Sequence, residues 1–212
     1  MKKIFLTCCL LCLFTYAFAE KQPSLLDTNE VTLKFGKILS NDVQYESIAD
    51  NTFYISDHDS KGIVVKLDYI YYLANYTGIG LGLSYTDNTA NNYDPVTPYI
   101  IIKQMCPVAT QNHDNKIYLY VGGAFGYGIT SKEQTYILSS SDKYTLQNNG
   151  GPYWNVFAGI DINSFIVDLS LSETYFRSTC IWINGIYEGS DKNYITYTTL
   201  SLSVGYKFNF KL

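Results

Sequence analysis

Histidine is the first residue type to consider for acid–base chemistry, and the chain has two. His58 lies in the run Asp-His-Asp-Ser at 57–60, and His113 lies in a second polar segment. A Ser near a His can act as a nucleophile with its general base, and the acidic neighbours could bind a cation weakly. Both segments have the composition of ordinary solvated loops. We therefore predict no catalytic, metal-binding or cofactor-binding residues, and His58 with Ser60 is the only pair worth testing.

Seven charged residues occupy alternate positions within stretches that otherwise place apolar side chains on the opposite face. They are Lys34, Lys66, Asp68, Lys103, Asp161, Asp168 and Lys207. If these stretches enclose a narrow interior, the charges must pair or be hydrated there. Lysines and aspartates are nearly balanced, which favours a salt-bridged structural plug. A small gated pore is the alternative.

The elements that position these charges are β-strands, because period-2 alternation recurs along the chain and no sustained helical period does. The clearest stretch is 78–85, where Ile79, Leu81 and Leu83 alternate with glycines. A large apolar face opposite a face of very small residues suits a narrow barrel in lipid. Eight such stretches are predicted, at 31–38, 63–73, 78–85, 98–106, 117–130, 153–163, 165–176 and 194–210.

The connections between these strands alternate in length. Those at 74–77 and 163–164 are short and 107–115 is intermediate, whereas 39–61, 86–97, 131–151 and 177–193 are long. Outer-membrane barrels have short periplasmic turns and longer external loops. The sequence therefore predicts an all-β, eight-stranded, antiparallel, up-and-down transmembrane β-barrel. It would have four long external loops and both termini at the periplasmic side.

The N-terminus has the three parts of a secretory signal. Two positive charges in the first three residues precede an apolar run at 4–16, and Ala17 and Ala19 form an A-x-A cleavage site. We predict a signal peptide at 1–19 and a barrel domain at 20–212. The alternatives are an N-terminal anchor, for which the run is short of the ~20 residues needed, and lipidation at Cys12.

Composition limits the classes of partner. The formal net charge is −4 and charged residues make up 16% of the chain, against about 25% in a typical soluble domain. A negative chain without a basic stripe is unsuited to nucleic acid. Few charges with 47% hydrophobic residues fit a protein whose outer surface contacts lipid.

Two cysteines lie beyond the signal. The predicted topology places Cys106 at the periplasmic end of its strand and Cys180 in the last external loop. An apolar band of about 25 Å then separates them, whereas a disulfide needs Cα atoms within ~7 Å. We predict that they form no disulfide.

The C-terminal strand resembles the terminal insertion signal of bacterial outer-membrane proteins, with Ser203, Gly205, Phe208 and Phe210 in the places of that signal. The usual signal ends on the aromatic residue, whereas two further residues follow here. With the signal peptide, the alternating strands and the glycine-rich strands, the chain resembles the OmpA/OmpX/OmpW-type family of small outer-membrane β-barrels.

This resemblance implies insertion into outer-membrane lipid by the insertion machinery, as a monomer, with loops available to host or surface ligands. It favours a non-enzymatic structural or surface-interaction role. A narrow channel for small solutes is one alternative. Another is a lipid A-modifying enzyme, since one such barrel type has a His two residues before a Ser, the spacing of His58 and Ser60. A soluble lipocalin-like barrel is the remaining alternative.

Overall fold

The computed structural model describes residues 25, 27–47, 53–56, 62–87, 94–108, 117–130, 133–137, 142–184 and 187–211. The strands of these residues are β1 (Asn29–Ser47), β2 (Phe53–Ser56), β3 (Ile63–Ala74), β4 (Thr77–Asp87), β5 (Val96–Pro107), β6 (Ile117–Gly128), β7 (Glu133–Ile137), β8 (Asp142–Asn149), β9 (Gly151–Ile162), β10 (Phe165–Asn184) and β11 (Tyr187–Phe210). Within those ranges, no helix has the length and apolar character required to cross a membrane.

Eight of these strands close into a barrel. The order is β1-β3-β4-β5-β6-β9-β10-β11, and β11 pairs back to β1 along a ladder that begins at Asn29↔Phe210. Every pairing in the ring is antiparallel. Closure leaves the ring without a strand edge, as a wall surrounded by hydrocarbon requires. The predicted eight-stranded antiparallel barrel is confirmed.

The two faces of the wall have opposite character. On β4, Leu81 is 64% exposed, whereas Ser84 is 3% exposed and points inward. Outward aliphatic and aromatic side chains on the barrel strands form what we call the lipid belt. Examples are Ile79, Ile100, Ile102, Phe125, Phe165, Leu169, Val204 and Phe208. Exposed apolar side chains in such number are the signature of a wall solvated by lipid, so the barrel spans a membrane.

The barrel has two distinct ends. At the turn end, Asn75 and Tyr76 join β3 to β4, and Asn163 and Ser164 join β9 to β10. The second turn has φ of 51° at Asn163 and 80° at Ser164, and the amide of Ser164 donates to the Asp161 carboxylate at 3.2 Å. At the opposite end, the loop end, β1, β10 and β11 continue past the other strands.

The strand ends correct the sequence prediction at the loop end. β1 continues to Ser47 rather than ending at 38, and the pair β10–β11 continues to Asn184↔Tyr187. β2, β7 and β8 lie in segments predicted to be loops. An irregularity between Ile38 and Ser40 shifts the alternation of β1. Beyond the lipid belt neither face of the sheet contacts lipid, so the apolar–polar contrast that reveals a strand is lost.

A short N-terminal segment covers the turn end. Leu25 packs against the aromatic interior and its amide donates to the carbonyl of Asn75 at 3.0 Å, while the amide of Tyr72 donates to the carbonyl of Thr28 at 3.0 Å. Tyr76 is 8% exposed, and burial raises the pKa of its phenol. Leu25, Thr28 and Tyr76, which we call the turn-end cap, therefore close this end with neutral groups.

Candidate functional site: the charged interior

The lumen brings together all seven charged residues that the sequence places inside. Each is buried, and Glu30, at 0% exposed, joins them. Among the described residues the buried charges are thus four lysines and four carboxylates. They form two clusters, one centred on Lys34 and one centred on Glu30.

The Lys34 cluster joins three strands across the lumen. Lys34 Nζ lies 3.1 Å from the Asp68 carboxylate on β3 and 2.8 Å from the Asp168 carboxylate on β10. The Tyr99 hydroxyl donates to Asp68 at 2.5 Å, and the Tyr120 hydroxyl donates to Asp168 at 3.2 Å. One ammonium is therefore shared by two carboxylates, and each carboxylate has a phenol as a further donor.

Lys66 lies beside this cluster and is bound differently. Its Nζ donates to the Ser170 hydroxyl at 2.8 Å, and Ser170 shares a hydrogen bond of 2.8 Å with the Ser201 hydroxyl. Lys66 stands directly opposite Lys34 in the β1–β3 register. Of the described buried charges it lies farthest along its strand from the turn end, so it forms the boundary of the charged region.

The Glu30 cluster lies nearer the turn end. The Glu30 carboxylate accepts from Lys103 at 2.6 Å and from the Tyr72 hydroxyl at 2.7 Å, and it lies 3.9 Å from Lys207. Lys207 also forms an ion pair with Asp161. Breaking a buried pair by removing one partner leaves an uncompensated charge, at a cost of about 3–5 kcal/mol.

Aromatic rings provide the rest of the lysine environment. Lys34 lies 5.2 Å from the ring centre of Phe157 and Lys103 lies 4.6 Å from that of Tyr120. Lys207 lies 5.4 Å from the ring centre of Tyr118. The negative face of an aromatic ring stabilises a cation in this range, so the rings fill the lumen and help to hold its charges.

Glycines on one strand make room for the large side chains of the next. A Cβ on Gly82 would collide with the Tyr99 ring and with Asp68, and a Cβ on Gly159 would collide with the Tyr120 ring. The phenols that donate to the carboxylates can lie across the lumen only because these positions are glycine. The glycine alternation is therefore part of the site.

Sequence reasoning missed Glu30. It alternates with Thr32 and Lys34, so it shares their inward face, and the Thr32 hydroxyl donates to it at 2.9 Å. The predicted strand began at residue 31 and excluded it by one position. Extending the same alternation backwards would have found it.

The loop-end part of the lumen carries no described charge. Its cavity, of about 20 Å³, holds about one water molecule and is lined by Asn41, Thr86, Pro95, Thr97, Tyr153, Ser172, Thr174, Tyr197 and Thr199. The Thr199 hydroxyl donates to the Asn41 amide oxygen at 3.0 Å. Hydroxyls and an amide thus replace ion pairs above Lys66.

The remaining predicted residues are dispersed. Ser203 is buried in the wall, Gly205 also faces inward on β11, and Phe208 and Phe210 are exposed on its lipid side. His58, Ser60, His113, Ala17 and Ala19 lie outside the described residues. Among those described, no group of three His, Cys, Asp or Glu side chains could hold a metal ion.

The two cysteines lie on different strands. Cys106 is next to the last residue of β5 at the turn end, and its thiol is free. Cys180 belongs to the part of β10 beyond the barrel, and its side chain lies outside the described set. The absence of a disulfide between them stays a prediction.

Comparison with known proteins identifies the fold. No family model and no curated sequence matches the chain. The outer-membrane protein OprG from Pseudomonas aeruginosa superposes with a TM-score of 0.51 at 10% identity, over 88% of this chain and 97% of OprG. Ail of Yersinia pestis (13% identity, TM-score 0.37, 86% and 99% covered) and Neisserial surface protein A (14%, 0.40, 85% and 97%) are also found. The chain therefore has the fold of the small outer-membrane β-barrels.

Proposed function

We propose that the chain is a non-enzymatic integral protein of the bacterial outer membrane that acts through its loop end. The observation that carries this is the β-structure beyond the lipid belt, where β10 and β11 stay paired from Arg177↔Tyr194 to Asn184↔Tyr187. β8 and β7 widen this sheet on one side, and β1 with β2 widens it on the other. We call this sheet the loop-end extension.

Ordering the loop-end extension costs conformational entropy, and lipid contact does not compensate for it. Fixing a backbone residue costs about 1–2 kcal/mol of conformational entropy, and these residues gain no lipid contact in return. A short turn directly above the belt would satisfy the barrel equally well. A paired sheet held outside the membrane suits contact with a partner such as a host or surface ligand.

We propose that the interior is a structural plug. The side chains of the Lys34–Asp68 and Lys103–Glu30 pairs are at most 6% exposed, and the turn-end cap covers the lumen. The alternative role, a narrow channel for small solutes, needs a continuous water path through these pairs. Planar-bilayer recording separates the two, because a plug predicts no unitary conductance whereas resolved channel openings would support the alternative.

Export and insertion follow from this location. We propose that residues 1–19 are the signal peptide, cleaved after Ala19, and that Ser203, Gly205, Phe208 and Phe210 are read by the outer-membrane insertion machinery. Mass spectrometry of the mature protein tests the cleavage site. Replacing Phe208 and Phe210 by Ala tests the insertion signal, with accumulation of unfolded periplasmic protein as the expected result.

The experiment for the surface role removes the loop-end extension of one hairpin. Replacing 178–193 by an Asn-Gly turn leaves β10 and β11 within the lipid belt. We expect this variant to insert normally and the full chain, but not the variant, to bind a member of an array of glycans and extracellular-matrix proteins. Equal binding by both, or binding by neither, contradicts the proposal.

The enzyme alternative has its own test. Lipid A from cells that produce the wild-type chain is compared by mass spectrometry with lipid A from cells that produce His58→Ala or Ser60→Ala. We expect identical lipid A in all three. A modified species that is present with the wild-type chain and lost with both variants would contradict a non-enzymatic role.

A further inference from the structure

A crevice opens in the outer wall where β8 replaces β9 as the partner of β10. β10 pairs with β9 as far as Thr174↔Tyr153 and with β8 from Arg177↔Asn149 onward. Gly150 lies at this step, where a Cβ would collide with the Gly128 carbonyl oxygen and the Tyr127 ring. The crevice measures about 550 Å³, and its lining includes Tyr127, Asn149, Pro152, Tyr175, Arg177 and Tyr194.

Arg177 supplies the positive charge of this crevice. It is exposed, and its partners in the two adjacent ladders, Asn149 and Tyr194, are both neutral. Arg177 forms an ion pair with none of the described carboxylates. Among the described residues, therefore, no carboxylate takes up the donors of this guanidinium.

The level of the crevice on the wall indicates the ligand. The outward residues of β10 run from Phe165 through Leu169 in the lipid belt to Glu173, Tyr175 and Arg177 at the loop end. Exposed tyrosines on three strands surround the crevice, and such rings mark the headgroup level of a membrane. Arg177 thus stands where the polar headgroups of the outer leaflet begin.

We propose that this crevice binds the phosphate of an outer-leaflet lipid. A planar guanidinium binds phosphate through two parallel hydrogen bonds. The tyrosine rings offer an apolar wall beside it, while the Tyr127 hydroxyl donates to the Gly150 carbonyl at 2.9 Å and the Tyr175 hydroxyl is hydrogen-bonded to Glu173. The ligand class is a phosphorylated membrane lipid. The site lies at the base of the loop-end extension, at its first pair Arg177↔Tyr194, and it does not depend on the partner proposed for the rest of that sheet.

The test uses the refolded full barrel in detergent, titrated with lipid A and with the same lipid after enzymatic dephosphorylation. Native mass spectrometry measures the fraction of barrels that carry one lipid. We expect Arg177→Gln to weaken lipid A binding by about tenfold, the scale of a charge-assisted hydrogen bond. Dephosphorylated lipid should bind the wild type and this variant equally weakly.

Two further variants make the test specific. Lys37 is an exposed outward lysine on β1 that does not line the crevice, so Lys37→Gln is the matched charge control and should change binding by less than about twofold. Asn149→Trp fills the crevice while keeping Arg177, and it should weaken binding as Arg177→Gln does. Equal losses for Arg177→Gln and Lys37→Gln, or undiminished binding of dephosphorylated lipid to the wild type, would overturn the proposal.

Discussion

The two halves of the lumen are filled with side chains of different chemistry. The half toward the turn end holds all eight described buried charges, in the clusters around Lys34 and Glu30. The half toward the loop end is lined by hydroxyls and an amide, typified by the pair Thr199 and Asn41. Lys66, hydrogen-bonded to the Ser170 hydroxyl, stands at the boundary between them.

The difference shows how tightly each half depends on its partners. A buried carboxylate must be neutralised by a specific cation, because unpaired charge in a low-dielectric interior is costly. A hydroxyl can turn toward another acceptor or a water molecule. The turn-end half is therefore sensitive to single substitutions, whereas the loop-end half tolerates them. Variants in each half test this contrast, and the expected loss of stability decreases from Glu30→Gln to Thr199→Val.

Glu30→Gln should be the most damaging single change. It leaves the Lys103 ammonium buried without its carboxylate partner and removes the charge near Lys207. We expect the free energy of unfolding to fall by about 3–5 kcal/mol, measured by urea titration of the barrel in lipid vesicles. The control is Asp27→Asn, since Asp27 is exposed and accepts the Tyr71 hydroxyl at 2.8 Å. Similar losses for the two variants would contradict a charge-dependent turn-end half.

Gly82→Ala should cause the second-largest loss in the free energy of unfolding. The added Cβ displaces the Tyr99 ring from its hydrogen bond with Asp68, and overpacking of this kind costs about 1–3 kcal/mol. Gly123→Ala is the matched control, because a Cβ there meets only the Asn155 carbonyl oxygen, at 3.6 Å. Urea titration should give no measurable change for the control. A loss of stability in both variants would mean that the glycines are needed for the backbone conformation and not for the packing of the lumen.

Thr199→Val probes the loop-end half and should have a smaller effect. It removes the hydrogen bond to Asn41 while keeping the volume, at a cost of about 1 kcal/mol. A water molecule in the adjacent cavity can satisfy the amide that is left. The same titration measures the loss, and a loss as large as that of Glu30→Gln would remove the contrast between the halves.

Replacing either cysteine should leave the gel mobility of the protein unchanged. Cys106 is at the turn end and Cys180 is in the loop-end extension. Cys106→Ser and Cys180→Ser should therefore have the same mobility as the wild type on a non-reducing gel. A shift of the wild-type monomer on reduction would show that the two ends of the barrel had been placed wrongly.

The barrel wall was predictable because lipid imposes a contrast on the sequence. In the stretch 78–85, large residues must face hydrocarbon and glycines must face a crowded lumen, so the alternation is unmistakable. Where lipid ends, that constraint ends too. The irregularity after Ile38 and the end of β10, where Cys-Ile-Trp-Ile follow one another at 180–183, lack the alternation from which a strand is recognised.

The inward charges were predictable as a set, whereas their partners were not. Alternation places Lys34 and Asp168 on inward faces, but strand tilt and stagger around the ring decide which charge meets which across the lumen. The pairing of Glu30 with Lys103 depends on that geometry. The crevice around Arg177 likewise arises from the exchange of β9 for β8, which the sequence did not reveal.

Heat-modifiable migration shows whether the chain forms a closed barrel in a membrane. Membrane-fraction protein is run on a detergent gel with and without boiling. A closed barrel resists detergent until it is boiled, so the account predicts that the two samples migrate at different positions. Co-migration of the two samples, with the protein recovered in the soluble fraction, would contradict it.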